Sequence, residues 1–176
     1  ERGDLISYRV AETVIRVDQR MSYTSVKKIL EDEDPEEIAK YEPLVPMFRQ
    51  MHQLAQLLRG RRYDRGAIDF DFPESKIILD DRGRPIEIKP YERNQATRLI
   101  EDFMLAANET VAEHFYWMGV PFVYRVHDKP QADRITELKR FLGRFGLILK
   151  GSADSIHPKA LNELLAQAEE MEEQHV

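Results

Sequence analysis

The sequence lacks cysteine altogether. This absence excludes disulfides, thiolate chemistry and cysteine-ligated zinc. No apolar run reaches the roughly 20 residues that cross a bilayer, and the chain does not open on a leader-like segment. Positive charge is not in excess either: 26 basic residues face 32 acidic ones, for a net charge of −6. We therefore expect a cytoplasmic protein that makes no membrane contact and whose basic surface, if it has one, is local.

Recognisable catalytic motifs are also missing. The sequence has no glycine-rich phosphate loop and no Ser/His/Asp pattern, and its five histidines show no metal-ligand spacing. What remains is an ordinary globular composition, with 176 residues of which 42% are hydrophobic and 33% charged. That length is enough for one domain with a real core.

Strand patterns dominate the middle of the chain. Residues 67–72 alternate with period two, so that Ile68, Phe70 and Phe72 point to one side. An isoleucine-rich run at residues 75–79 and a second run at 85–89 flank a polar turn containing Gly83. This pattern predicts a β-hairpin. Shorter alternating stretches at 4–18 and 121–126 predict two further strands, the first of them a lone edge.

Helical periodicity accounts for most of the rest. The predicted helices are one capped by Ser22 or Thr24 and ending near Glu31, one from Pro43 or Pro46 to Arg62, one over Glu92–Met118, one over Asp133–Leu149 and one from Pro158 to about Glu173. On the long helix, Gln95, Asp102, Glu109 and Glu113 form a solvent-like arc. A third group, Asn94, Arg98, Glu101 and Asn108, lies between that arc and a broad apolar one. The pattern alone favours the interpretation that these four residues widen the solvated face.

Clusters of like charge permit two interpretations each. Residues 31–37 hold six acids around Pro35, which predicts a solvated loop and a helix start and, less favourably, a metal site. Asp69 and Asp71 share one strand face and could form a metal pair, although exposed strand acids are commoner. The arginines at positions 59, 61, 62 and 65 either satisfy the last carbonyls of a helix or bind phosphate beside a stacked base.

Several long blocks of this sequence resemble the catalytic-domain interior of the ribonuclease II/ribonuclease R superfamily, and bacterial ribonuclease R in particular. The blocks are residues 61–94 and 98–115, preceded by MSYTSVKKILEDED at 21–34 and followed by PFVYRVHDKP at 121–130. The resemblance covers nearly the whole chain, which looks like the middle of a larger domain. It implies a single partial domain over residues 1–176. It also implies an α+β fold, with mainly amphipathic helices packed on a small antiparallel sheet or hairpin.

The resemblance further implies a reaction. Members of the superfamily hydrolyse RNA processively from the 3′ end with Mg²⁺ held by aspartates, which activates the attacking water. Those aspartates are expected upstream of Glu1 and the catalytic arginine downstream of Val176. The chain itself is therefore expected to hold no catalytic residue and no metal, and to be inactive alone.

Three residues match positions that contact RNA in this superfamily. Tyr23 matches the aromatic that packs near the reacting end and helps to set the length of the final product. Phe70 matches one jaw of the aromatic clamp on the terminal bases, and Glu101 matches a glutamate near the RNA 3′ end. The resemblance also makes Arg98 and Glu101 candidates for one wall of the site, on the long helix. Arg98, together with Arg65 of the arginine cluster, is therefore a further candidate RNA contact. Each of these three residues also has a purely structural interpretation. Tyr23 could serve packing, Phe70 could belong to the core, and Glu101 could form an ion pair with Arg98.

Two other functions stay open. The chain could be a non-catalytic helical interaction module derived from the same fold, or a catalytically inactive RNA-binding relative. Clustered aspartates upstream of Glu1 would support the enzyme, and their loss would support either alternative.

Overall fold

In the computed structural model the chain is mainly helical. The structure describes residues 3–68, 75–90, 93–169 and 171. Its α-helices and strands are α1 Tyr23–Leu30, α2 Pro35–Lys40, α3 Val45–Arg65, β1 Ser75–Leu79, β2 Pro85–Pro90, α4 Gln95–Met118, α5 Ala132–Gly143 and α6 Pro158–Glu169. A short 3-10 helix, Glu42–Leu44, precedes α3. The predicted fold class, helices together with a two-stranded antiparallel sheet, is confirmed. None of the helices described is long and apolar enough to cross a membrane.

The chain divides into two compact units. The first comprises Glu1–Arg59 and Asp71–Pro121, and the second comprises Gly60–Phe70 and Phe122–Val176. The first unit therefore contains α1, α2, most of α3, the hairpin and α4. The second contains the end of α3 together with α5 and α6.

The core of the first unit is built by α1, α3 and α4. Val26 and Ile29 of α1, Val45 and Phe48 of α3 and Ala96 of α4 form one buried cluster. Helix α1 begins where the sequence predicts, because the Ser22 side chain accepts a hydrogen bond from the Ser25 backbone N–H. The apolar faces of these helices thus meet one another.

The hairpin follows from its turn. The Asp80 side chain accepts hydrogen bonds from the backbone N–H groups of Arg82 and Arg84, at 2.9 and 2.8 Å. Gly83 takes a φ of 75°, which glycine adopts without steric cost. Ile77 pairs with Ile88 across the two strands, and both side chains are exposed. The predicted hairpin is confirmed, with a sheet whose side chains are largely exposed.

Helix α4 is confirmed as the longest helix. It begins at Gln95 because Asn94 and Thr97 form a reciprocal capping box, and it ends at Met118, followed by the capping residue Gly119 with a φ of 64°. The prediction had placed the start near Glu92, a residue outside the described part of the chain.

Two predicted strands are wrong. Residues 4–18 and 121–126 have no regular secondary structure and are exposed, and neither forms a ladder with another described segment. Period-two alternation is only a local signal, whereas a strand also needs a neighbour to receive its backbone hydrogen bonds.

The core of the second unit joins α5 and α6. Leu142, Leu149 and Leu164 form its buried cluster. Helix α5 ends at Gly143, before the predicted Leu149, and Gly146 follows with a φ of 74°. The predicted helix is too long because the apolar spacing continues to Leu149, and this residue packs in the core from a loop. Helix α6 begins at Pro158 as predicted and ends at Glu169.

Candidate functional site

Tyr23 lies at the edge of a pocket of about 740 Å³ in the first unit. It is the first residue of α1, and half of its surface is exposed. The lining residues come from three places in the chain: Arg20, Met21, Ser22, Tyr23, Thr24 and Val26; Phe48 and Met51; Ala96, Leu99 and Ile100. The aromatic ring of Tyr23 is therefore available to a ligand.

The pocket lining combines several kinds of group. Met21, Met51 and Phe48 supply polarisable apolar and aromatic surface. Arg20 adds a cation, and Ser22 and Thr24 are lining residues with hydroxyl groups. Apolar walls with a few polar groups are typical of small-molecule sites. An aromatic ring beside a cation suits a flat base carrying a phosphate.

Glu101 lies on α4, one residue beyond the lining residue Ile100, and is itself not part of the lining. Its carboxylate oxygens lie 3.4 and 3.3 Å from Nη2 of Arg93, which donates to both. The alternative interpretation named Arg98 as its partner, so the pair exists with a different arginine. The Glu101 side chain remains 45% exposed.

Arg98 and Arg65 are placed apart from the pocket lining. The Nε atom of Arg98 is buried and has no hydrogen-bond partner within the described residues. Arg65 is the last residue of α3, is exposed and belongs to the second unit. Phe70 lies outside the described residues, as do Asp69 and Asp71.

Asp102 corrects the predicted solvent arc of α4. Only 2% of this residue is exposed, and its Oδ2 accepts hydrogen bonds from Nε and Nη2 of Arg59, at 3.1 and 2.7 Å. One member of the predicted phosphate-binding cluster is thus committed to a buried carboxylate. Helical spacing places Asp102 among other acids, but it cannot reveal a partner 43 residues away.

The acidic stretch 31–37 is a loop and a helix start, as the favoured interpretation predicted. Asp34 caps α2, accepting from the backbone N–H groups of Glu36 and Glu37 at 2.9 and 3.4 Å. The Glu36 hydrogen bond is the main cause that holds the pKa of Asp34 below its usual value. Lys28 adds to this effect from 3.4 Å, and desolvation opposes it.

The described residues do not form a magnesium site. Across residues 3–68, 75–90, 93–169 and 171, no three histidine, aspartate or glutamate side chains lie close enough together to hold an ion. Mg²⁺ prefers several oxygen ligands in octahedral geometry. The described residues therefore do not fit the metal that the resemblance implies.

Comparison with known proteins gives close relatives. Ribonuclease R of Thermotoga maritima is 41% identical over 169 residues, which are 96% of this chain and 23% of that protein. Ribonuclease R 1 of Lactococcus lactis is 40% identical over 161 residues, 90% of this chain and 19% of the relative. The chain therefore spans about a fifth to a quarter of the length of these curated relatives.

Solved structures agree with these relatives. Mycoplasma genitalium RNase R in complex with ribose-methylated single-stranded RNA matches with a TM-score of 0.72 and 25% identity, over 86% of this chain and 23% of that one. The same protein in complex with double-stranded RNA also matches with a TM-score of 0.72. The family model of the RNB domain matches residues 1–176. This chain belongs to the RNB domain family.

Proposed function

We propose that the chain is the middle part of the catalytic domain of a processive 3′-to-5′ exoribonuclease that acts in the cytoplasm. In this proposal residues 1–176 are one partial domain, and they supply RNA contacts and scaffold. Membership of the RNB family and the names of the relatives support the exoribonuclease class. The absence of cysteine is consistent with a reducing compartment.

The observation that carries the proposal is the position of Tyr23. Half of Tyr23 is exposed, and it lies beside a pocket with apolar walls and a cation, which supports a role in ligand contact. A ring in that position can stack on any base, because every base has a π-face. The proposed substrate is single-stranded RNA that enters by its 3′ end, and stacking of this kind would hold it without regard to sequence.

The other candidate residues have narrower roles in this proposal. Glu101 faces the RNA end from α4 with its carboxylate held by Arg93, and Phe70 supplies a second stacking surface. Arg98 and Arg65 contribute positive charge, which is the sequence-independent part of RNA affinity. In the intact enzyme Mg²⁺ would supply an activated water. We expect its ligands outside the described residues, since no three histidine, aspartate or glutamate side chains among these lie close enough together to hold an ion.

Replacement of Tyr23 tests the proposal. In the longer protein that contains this chain, Tyr23→Ala is expected to change the length of the final RNA product, and Tyr23→Phe to preserve it. Digestion of end-labelled single-stranded RNA followed by gel sizing reads this directly. If a correctly folded Tyr23→Ala protein gives an identical end product, Tyr23 is a packing residue and the pocket is not an RNA site.

A non-catalytic, RNB-derived module predicts a different result. Such a protein would leave the RNA undigested, although it could still retain it on a filter. That outcome would support the binding or interaction alternatives and overturn the enzymatic assignment.

A further inference from the structure

One residue of the acidic loop leaves that loop to contact a distant helix. Glu31 follows the last residue of α1, and its Oε1 accepts a hydrogen bond of 2.9 Å from the backbone N–H of Gln95. The two residues are 64 positions apart, and the bond is partly buried. Asp34 caps α2, Glu37 lies 3.8 Å from Lys40 on the same helix, and the remaining acids of the stretch are exposed, so the bond to a distant helix distinguishes Glu31.

The bond joins complementary helix ends. Gln95 is the first residue of α4, and the N–H groups of a first helical turn have no partner within the helix. Asn94 satisfies the N–H of Thr97, and Glu31 satisfies that of Gln95. A carboxylate is also favoured there by the positive end of the helix dipole. The contact is therefore a charge-assisted hydrogen bond, which is stronger than a neutral one.

The two helices that Glu31 joins carry two of the three parts of the pocket lining. Tyr23 and Thr24 line the pocket from the N-terminal end of α1, and Leu99 and Ile100 line it from α4. The C-terminal end of α1 thus meets the N-terminal end of α4 through the hydrogen bond between Gln95 and Glu31. The buried cluster also joins these two helices through Val26, Ile29 and Ala96, and the Glu31 bond lies beyond that cluster.

We propose that Glu31 is a positioning residue that sets the distance between the Tyr23 ring on α1 and the Glu101 side of α4. This inference rests on the proposed function. Tyr23 is eight residues from Glu31, about 12 Å along the helix at 1.5 Å per residue. A small rotation of α1 at the Glu31 end therefore moves the ring relative to α4. The RNA end would then be held at a different depth.

The test uses three substitutions in the longer protein. Glu31→Ala removes the acceptor, Glu31→Gln keeps an oxygen that can accept the same hydrogen bond, and Asp32→Ala removes one negative charge from the adjacent exposed position. Each protein digests end-labelled single-stranded RNA, and hydrogen exchange reports the protection of the Gln95 amide. Gly119→Ala, at the far end of α4, serves as a destabilised control that leaves the Glu31 contact intact.

Glu31→Ala is expected to change the length of the final product and to lower kcat for RNA digestion by about tenfold, less than the roughly hundredfold that a misplacement of 1 Å can cost. It should also expose the Gln95 amide to exchange. Glu31→Gln should recover most of both properties, and Asp32→Ala and Gly119→Ala should retain the original product length. A purely structural role would instead make Gly119→Ala and Glu31→Ala behave alike.

Two results would overturn the proposal, and each has a different meaning for the proposed function. If Tyr23→Ala changes the product while Glu31→Ala does not, Glu31 ties the helices without positioning the site. If neither substitution changes the product, the proposed function of the pocket fails and the inference fails with it.

Discussion

Oδ2 of Asp102 accepts two hydrogen bonds from the guanidinium of Arg59, one from Nε at 3.1 Å and one from Nη2 at 2.7 Å. The carboxylate is almost completely buried, whereas the Arg59 side chain keeps 21% of its surface exposed. A buried charge is tolerated only when it is paired and hydrogen-bonded. The pair therefore joins α3 to α4, and separating its two groups would cost free energy because the carboxylate would stay buried without a partner.

Loss of one partner should be costly. Asp102→Ala leaves the arginine without its buried carboxylate, and breaking such pairs typically costs about 3–5 kcal/mol. We expect a loss near 3 kcal/mol, the lower end of that range, because Arg59 still reaches solvent. Urea unfolding followed by circular dichroism measures it. Asp81→Ala, in the exposed hairpin turn, is the control and should change stability by less than about 0.5 kcal/mol. A loss for Asp102→Ala as small as that of the control would contradict the assigned role of the pair.

Two glycines in open surroundings should respond to alanine with opposite signs. Gly119 has a φ of 64° and Gly60 has an ordinary helical φ, and a Cβ on either meets nothing within 4 Å. Gly119→Ala should destabilise by about 1–2 kcal/mol, the cost of a left-handed conformation. Gly60→Ala should stabilise by about 0.5–1 kcal/mol, since glycine is unfavourable inside a helix. Thermal unfolding of both variants beside the parent chain decides this. Equal shifts of the same sign would disagree with these backbone conformations.

Asp34 should make stability depend on pH. Its pKa is lowered in the folded chain, chiefly by the hydrogen bond from the Glu36 backbone N–H. The stabilisation is therefore fully present above the unfolded pKa, close to 3.9, and is lost as the pH falls through the folded value. Asp34→Asn keeps an oxygen acceptor for the cap but cannot titrate. The difference in unfolding midpoint between parent and variant, measured from pH 6 to pH 2, should shrink toward the acid end. A constant difference would show that Asp34 makes no titratable contribution.

Phe70 is expected to stack on RNA bases in the longer protein. Stacking contributes about 1–3 kcal/mol per base, so Phe70→Ala should weaken single-stranded RNA binding without changing base preference. Phe70→Tyr retains the ring and serves as the control. Fluorescence anisotropy with labelled homopolymers of each base measures both properties. Unchanged affinity in a folded Phe70→Ala protein would assign the side chain to the core.

The 176-residue chain by itself should not shorten RNA. The described residues offer no convergent carboxylates, and the net charge of −6 repels a polyanion. Millimolar Mg²⁺ should raise Tm little, and RNA affinity should be weak and vanish at moderate salt. A nuclease assay with labelled single-stranded RNA, run with Mg²⁺ and with chelator, gives the answer. Chelator-sensitive cleavage from the 3′ end would contradict the prediction, and Asp69 and Asp71 would be the first residues to replace.

Features governed by near neighbours could be predicted from the sequence. Ser22 caps α1, the long helix ends at Met118 and the hairpin turns at Gly83, as expected. Caps, helical periodicity and turn residues act over a few positions, so their signals are present in the local sequence. Tyr23 could be singled out only through the family resemblance, and its exposure beside a pocket came from the structure.

The sequence by itself therefore determined the family, the main helices and the hairpin, because these depend on blocks of residues and on local backbone preferences. Only the tertiary structure decided which acids are structural. Asp102 shares a helical arc with solvated acids, and Glu31 shares a loop with them, but each finds its partner 43 or 64 residues away. The tertiary structure also decided the state of residues 4–18, which alternate like a strand but form no ladder with the described residues. A long-range hydrogen bond depends on where two helices cross, and no local pattern records that position.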